Sequence, residues 1–250
     1  MSDQMGNTAQ FGAAWCELVA ELNWPLLGQT YCDGDGSTFF DEVLLDQVLD
    51  TGLELVDSLA AALPRRGAAR SVYVGAAVAE LPLLLAETLV LDREVHWLNL
   101  PGPEVNELRR GLQVVSTKLG VHLPQPATHG LMCVPDASCD HLWLASVLTD
   151  PEAFPSLHDR LYERAGSALA TGRGDTNDDL ARAEQLVREW LAKAVQPALL
   201  STTDEELELI VPIARTMNLQ LQVPTTGTLS AVVGDTLRHV RVEGRRAGSP

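Results

Sequence analysis

The sequence predicts an α/β fold, and three observations carry that prediction. An apolar run, Val72 to Val74, meets Gly75 and a string of small residues. A Leu-rich stretch of helical character follows, from Ala76 to Leu91. A second β-like run, Val95 to Leu100, then ends in Pro101-Gly102. Strand, small-residue turn, helix, strand is the opening unit of a doubly wound sheet that holds a nucleotide over the carboxyl ends of its strands.

Ahead of this unit the chain reads as helical. Residues 1–10 are expected to be frayed. Phe11, Trp15, Leu18, Val19 and Leu22 then recur at helical spacing, and Asn23-Trp24-Pro25 ends or kinks the helix at about Leu27. The Gly-rich stretch from Tyr31 to Glu42 admits two readings. As a calcium loop it offers Asp33, Asp35, Gly36 and Glu42 at the proper positions, but Tyr31 stands where the first aspartate belongs. As a turn it offers Thr38 and Asp41 as a capping box for the next helix, and this reading is preferred. That helix is expected from Phe39 to Leu63, on a stripe including Val43, Leu44, Val48, Leu55, Val56 and Leu59, with an interruption at Thr51-Gly52. Pro64 to Gly67 links it to the first strand.

With the opening unit in place, the chain resembles the class I S-adenosylmethionine-dependent methyltransferases. Their first strand and turn read acid-x-Gly-x-Gly-x-Gly. In that register the acid falls on Tyr73, the first glycine on Gly75, and the other two on Ala77 and Ala79. The acid that ends the family's second strand and holds the ribose falls on Asn99. One glycine of three remains and neither acid does. The resemblance implies a Rossmann-like methyltransferase fold: a mostly parallel seven-stranded sheet with a C-terminal antiparallel hairpin, behind an N-terminal helical segment.

The rest of the chain is read against that order of elements. Glu104 to Leu119 is a helix with Leu108, Leu112, Val115 and Leu119 on one side, closed by Gly120. Val121 to Leu123 is the candidate third strand, followed by an irregular Pro-rich stretch over residues 124–139. The segment from Asp140 to Asp150 resembles the family's fourth strand, and Pro151 to Arg164 its following helix. Gly166 to Gly172 has the place and composition of the fifth strand. Helices are expected over Asp178 to Ala198 and Asp204 to Met217, the second introduced by Ser201-Thr202-Thr203 as cap candidates. Asn218 to Val223, Leu229 to Val233 and Leu237 to Val242 are β-like and make the closing hairpin. Two parts result: residues 1–66, an acidic helical segment acting as cap or oligomer face, and residues 67–250, the methyltransferase-like α/β domain.

Composition narrows the function. A chain of 250 residues, 46% hydrophobic, can bury a sizeable core. Its 34 acids against 18 Lys and Arg leave a net charge of −16, which disfavours nucleic acid as a partner. No Lys or Arg precedes Arg65, whereas 11 acids lie between Asp3 and Asp57. Such asymmetry suits a solvated helical face, a basic partner or self-assembly into a homo-oligomer. Cys16, Cys32, Cys133 and Cys139 form no CxxC pair, so free thiols in a reducing cytoplasm are expected. No signal-peptide pattern or bilayer-length apolar run appears, so a cytoplasmic protein without membrane attachment is expected.

The candidate chemistry gathers over the carboxyl ends of the strands. Gly75 to Ala79, Asn99 to Gly102 and Ser146 to Asp150 should surround one crevice. The resemblance implies S-adenosylmethionine there, with Tyr73, Gly75, Ala77, Ala79, Asn99 and Ser146 as the cofactor-binding positions. Asp150 and His158 are the candidate catalytic groups, with helix capping and surface exposure as their bland alternatives. His129, Cys133, Cys139 and His141 match no zinc spacing, so no metal is expected. The function that follows is a diverged methyltransferase-like protein acting on a small molecule or protein. Its alternative is an inactive methyltransferase-fold protein that serves as a binding or assembly partner.

Overall fold

A computed structural model describes residues 2–31, 36–64, 67–168 and 170–244, with residues 2–6 as backbone alone. Among the described residues one sheet organises the chain. Its strands are β1 (Arg70–Val74), β2 (Glu94–Leu98), β3 (Pro126–Ala127), β4 (Cys139–Leu144), β5 (Ala194–Thr203), β6 (Leu219–Gln222), β7 (Thr228–Leu229) and β8 (Thr236–Gly244). They lie in the order β3-β2-β1-β4-β5-β8-β6, with β7 paired to β8. Strands β1 to β5 run parallel, and β8 is antiparallel to both β5 and β6. With helices on both faces this is the Rossmann-like methyltransferase fold. Counting the two-residue β7, the sheet has eight strands rather than seven.

The helices are α1 (Ser2–Glu21), α2 (Trp24–Gly28), α3 (Glu42–Ala62), α4 (Leu81–Leu89), α5 (Pro103–Leu119), α6 (Pro155–Leu161), α7 (Thr176–Leu191) and α8 (Asp204–Thr216). Side chains alternate across each strand, so the sheet has two distinct faces. Tyr73, Trp97, Trp143 and Leu199 project to one, where they share a hydrophobic core with α1, α3, α4 and α5. Val72, Leu142, Leu144, Leu200 and Val240 project to the other and pack with α6, α7 and α8. The N-terminal helices therefore help to build the first core. Arg110 of α5 pairs with Glu21 at 2.5 Å, and Lys118 pairs with Glu17, which ties the acidic α1 to a basic edge.

Several local expectations change. The first helix begins at Ser2, so residues 2–10 are helical. Asn23 caps α2 as the Asn-Trp-Pro break implies, its side chain accepting from Leu26 N at 3.2 Å. Residues 32–35 of the candidate calcium loop lie outside the described residues. The cap of α3 is Asp41, whose carboxylate accepts from Leu44 N at 2.8 Å, and Thr38 instead ends a short 3-10 turn. Helix α3 runs through Thr51-Gly52 without a break. Gly52 is there for packing: a methyl group at this position would stand 2.4 Å from Pro82 Cβ of α4.

The third strand is Pro126–Ala127, not Val121–Leu123, paired with Trp97 and Leu98. Residues 166–168 and 170–172 form no strand. The fifth strand is Ala194–Thr203, the segment expected to end one helix and cap the next. Its run from Ala198 to Thr203 is buried between β4 and β8, so it carries no alternation that distinguishes a strand. Only Thr203 serves as the expected cap of α8. Of Leu229 to Val233, Leu229 alone is in a strand.

The contact at Gly52 makes a testable claim. Gly52→Val should cost about 1–3 kcal/mol, because α3 and α4 cannot keep their approach with added atoms. A urea titration reads this as a lower midpoint with an unchanged slope; an unaltered midpoint would show that the helices separate without cost.

Candidate functional site

The crevice lies where the strand order reverses, between the carboxyl ends of β1 and β4. Gly75 leaves β1 with φ +73, a conformation glycine adopts without strain, and its N–H donates to Leu98 O at 2.9 Å. A methyl group on Gly75 would stand 2.4 Å from Val147 Cγ2, so the Val147 side chain lies directly on the turn. Ala77 then opens a 3-10 turn, Val78 to Glu80. Its φ is −138, so no left-handed residue is needed there. The Ala77 N–H donates to Glu80 Oε2 at 2.8 Å. Ala79 is half-buried within the same turn.

Asn99 sits at the end of β2, as expected, but its side chain turns back. Nδ2 donates to Ala76 O at 2.9 Å, and Oδ1 accepts from Leu100 N at the same distance. Trp97 Nε1 donates to the same Ala76 carbonyl. Across the crevice, Ser146 Oγ donates to Asp235 Oδ2 at 3.0 Å, and Tyr162 donates to the same oxygen at 2.7 Å. Ser146 has φ 57, a strained setting for a residue with a side chain. The amides of Val147 and Leu148 both donate to Glu206 Oε1 at 2.8 Å.

The candidate catalytic groups are also engaged. Asp150 Oδ1 accepts from the amides of Glu152 and Ala153 at 2.8 and 2.7 Å. His158 is buried, with Nδ1 on Thr149 O at 2.7 Å and Nε2 accepting from Arg164 Nη1 at 2.9 Å. These partners set the Nδ1–H tautomer.

Carboxylates that sequence reading passed over line this edge. Tyr31, from the N-terminal segment, donates to Glu104 Oε1 in the first turn of α5 at 2.7 Å. Burial raises the Glu104 carboxyl, the Tyr31 bond opposes this, and the charge of Asp150 adds to it. Burial also lifts Glu80 to about 7, against its bond from the Ala77 amide and with help from Glu104. Glu206 is driven to about 7 by burial in spite of its donors from Leu148, Thr202 and Val147. Each raised group is harder to ionise where it stands.

Tyr73 takes no part in the crevice surface. It is fully buried between Trp97 and Trp143 of the neighbouring strands, and its hydroxyl donates to Glu87 Oε1 at 2.5 Å. Glu87 comes from α4 and anchors a polar row across the sheet. It accepts from Ser71, lies 2.8 Å from Arg93 Nε, and meets His141 Nδ1 at 2.7 Å. His141 Nε2 contacts Ser201 Oγ at 2.9 Å, and Ser201 contacts His239 Nδ1 at 2.6 Å. Arg93 Nη2 reaches Asp140 Oδ1 at 2.5 Å. The Glu87–His141–Ser201 line has the connectivity of a hydrolase triad, but all three residues are 0% exposed. No substrate carbonyl reaches Ser201, and the row acts as a structural clamp.

Of the four residues weighed as metal ligands, His141 belongs to this clamp and Cys139 is buried at the start of β4. His129 and Cys133 are exposed. Among the described residues no three His, Cys, Asp or Glu side chains gather as a metal site. The described cysteines Cys16, Cys133 and Cys139 are free, and no described helix is long and apolar enough to cross a membrane.

No family model matches this sequence, and no curated protein does. Among solved structures the chain is similar to a SAM-dependent methyltransferase from Aquifex aeolicus, with 14% identity over 81% of this chain and 98% of that one, at a TM-score of 0.46. It is similar to the magnesium protoporphyrin IX methyltransferase of Synechocystis PCC 6803 with bound SAM, at 15% identity, 84% and 86% coverage, and a TM-score of 0.47. A third is P. horikoshii TYW2 in complex with MeSAdo, at 11% identity, 82% and 64% coverage, and 0.45. Of the first three similar structures, the chain spans 45%, 64% and 65% of their lengths. Strand order and register establish the fold, and these likenesses add nothing about its ligands.

The clamp sets an acid limit on stability. Burial alone would raise the Glu87 carboxyl, but His141, Arg93 and Ser71 hold it down to about 2 from 4.5. A depressed carboxyl contributes stability that is present above its unfolded pKa, 4.5, and is lost as pH falls through about 2. Glu87→Gln should therefore destabilise the protein by about 3 kcal/mol at neutral pH. Denaturant titrations from pH 7 to pH 3 should show the variant losing less with acid than the parent. Parallel pH curves would mean that Glu87 is not held ionised.

Proposed function

We propose that this chain is a methyltransferase-fold protein that works as a binding or assembly partner rather than as a methyltransferase. One observation carries the reading. At the positions where the family resemblance expects cofactor contacts, the groups present are bonded or packed within the chain. The Ala77 amide is bonded to Glu80, and the Asn99 side chain to Ala76 and Leu100. Gly75 lies under Val147, and Ser146 is bonded to Asp235. A cofactor would have to break these contacts before making its own, which reduces its net binding. Asn99 is suited to this closed state, because an aspartate there would place a second acceptor against the Ala76 carbonyl.

The N-terminal segment serves as the cap in this reading, with Tyr31 on Glu104 joining it to the crevice rim. A cytoplasmic location and a basic protein partner fit the net charge of −16. The same acidic face leaves room for self-association.

A second reading has its own observation. Gly75 keeps the positive φ of a cofactor-binding turn, and Glu80, Glu104 and Asp150 bring acidic groups to the same edge. A sulfonium cofactor is cationic and would be attracted there. In that case the chain is a diverged S-adenosylmethionine-dependent methyltransferase acting on a small molecule or protein.

Calorimetric titration with S-adenosylmethionine and S-adenosylhomocysteine, carried into the millimolar range, separates the two. The expected result is no saturable heat and no thermal stabilisation by either compound. Saturable one-to-one binding, tighter for the sulfonium form, would overturn the partner reading and establish the enzyme one.

A further inference from the structure

A side chain from the N-terminal segment reaches into the crevice. Tyr31 lies on the loop that follows α2, its N–H donating to Gly28 O at 3.1 Å. Its ring stacks on Phe39, with centroids 5.3 Å apart and planes 13° from parallel, and meets Phe40 edge-on at 5.2 Å. Gly28 and Gly36 bracket this loop and touch through their backbones. A methyl group on Gly28 would stand 2.1 Å from Gly36 O, so the base of the loop has no room for a side chain.

The Tyr31 hydroxyl makes two bonds. It donates to Glu104 Oε1 at 2.7 Å, 73 residues along the chain, and it accepts from the Val78 amide. Val78 follows Ala77 in the turn after β1, and Glu104 lies in the first turn of α5, after β2. Tyr31 therefore spans two of the loops over which a doubly wound sheet takes a nucleotide. Ala77 and Asn99 make their bonds with nearby backbone and shape the wall, whereas Tyr31 enters from a distant part of the chain. Burial, then the charge and bond of Glu104, raise the phenol well above 10, so it stays a donor at neutral pH.

What Tyr31 offers defines what can take its place. A replacement needs a flat ring for Phe39, an acceptor for the Val78 amide and, beside it, a donor for Glu104. Adenine has that arrangement, a ring nitrogen next to an amino group. Charge narrows the choice further. Glu80 acts on Tyr31 and Asp150 acts on Glu104, so a phosphate is repelled and an uncharged nucleoside fits better than a nucleotide. We propose that Tyr31 is an internal occupant of the crevice, which admits an adenine nucleoside only when that side chain leaves. This rests on the reading of the crevice as closed by the chain's own contacts. The affinity of the parent is then reduced by the fraction of molecules in which Tyr31 is out.

Full-length parent, Tyr31→Ala and Tyr31→Phe test the assignment by calorimetry with adenosine, purine riboside and AMP. The titrations are run at pH 8, above the value of about 7 to which Glu80 is lifted. Tyr31→Ala removes the ring and should bind adenosine at least about tenfold more tightly than the parent, with nitrogen-15 amide shifts at Val78 and Glu104. Tyr31→Phe keeps the ring packed on Phe39 and Phe40, which preserves the fold, and loses both bonds. It should gain about threefold, with faster hydrogen exchange at the Val78 amide. On the Ala variant, purine riboside, which lacks the amino group for Glu104, and AMP should bind about tenfold more weakly than adenosine. The proposal is overturned if the folded variants bind adenosine no better than the parent, or if purine riboside or AMP matches adenosine. S-adenosylmethionine binding to the parent would overturn the partner reading by itself, and the ratio of variant to parent would still decide the role of Tyr31.

Discussion

The structure depends on a charge brought into the core by α4. Glu87 lies beneath the sheet in a helix that, Thr88 apart, is otherwise made of leucine and other apolar residues. A lone buried carboxylate is very costly, and it is tolerated only where donors and countercharge surround it. Here the surrounding groups come from several elements: Ser71 and Tyr73 on β1, Arg93 just before β2, and His141 on β4. Ser201 on β5 extends the row to His239 on β8. Each partner fixes the register of its own strand against α4. Asp140 completes the clamp by accepting the amides of Ala69 and Arg70, which positions the entry to β1.

Over the carboxyl ends of β1 and β2, the polar groups of the candidate site are bonded within the chain. Tyr73 occupies the place of the family's first acid, yet it serves the core, where its hydroxyl meets Glu87. The amide of Ala77 and the side chain of Asn99 likewise bond to their own loops. Ala77 and Ala79 fit a turn that needs no left-handed residue after Gly75, and Glu80 supplies that turn with its cap. The local rules agree with one another in a closed arrangement.

Much of the fold was legible in the chain. Strand β1, the turn at Gly75, strand β2 and helix α5 with its Gly120 cap follow from local pattern and turn chemistry, and the antiparallel closure was implied by the family resemblance. Strand β5 was not legible. Its buried half, Ala198 to Thr203, has no alternation, and its threonines also read as helix caps. Strand β3 escaped for a related reason: with two residues, it is defined by its partner β2 alone. Within the site, the positions of Gly75, Asn99 and Ser146 were readable, but the direction of their side chains was not. Glu80, Glu104, Asp235 and Glu206 carried no motif, since their partners lie far along the chain or in backbone amides.

By itself, then, the sequence determined the periodicities, the turns and the acidic balance, because these depend on neighbours within a few residues. It placed a crevice at the switch point between β1 and β4 and made its degenerate motif plain. Only the tertiary structure decided what the polar groups do. Hydrogen bonding and burial depend on atoms brought together across tens of residues, as with Glu87 and His141 or Ser146 and Asp235. Those long-range contacts made a clamp from Glu87 and His141 and kept Tyr73 in the core.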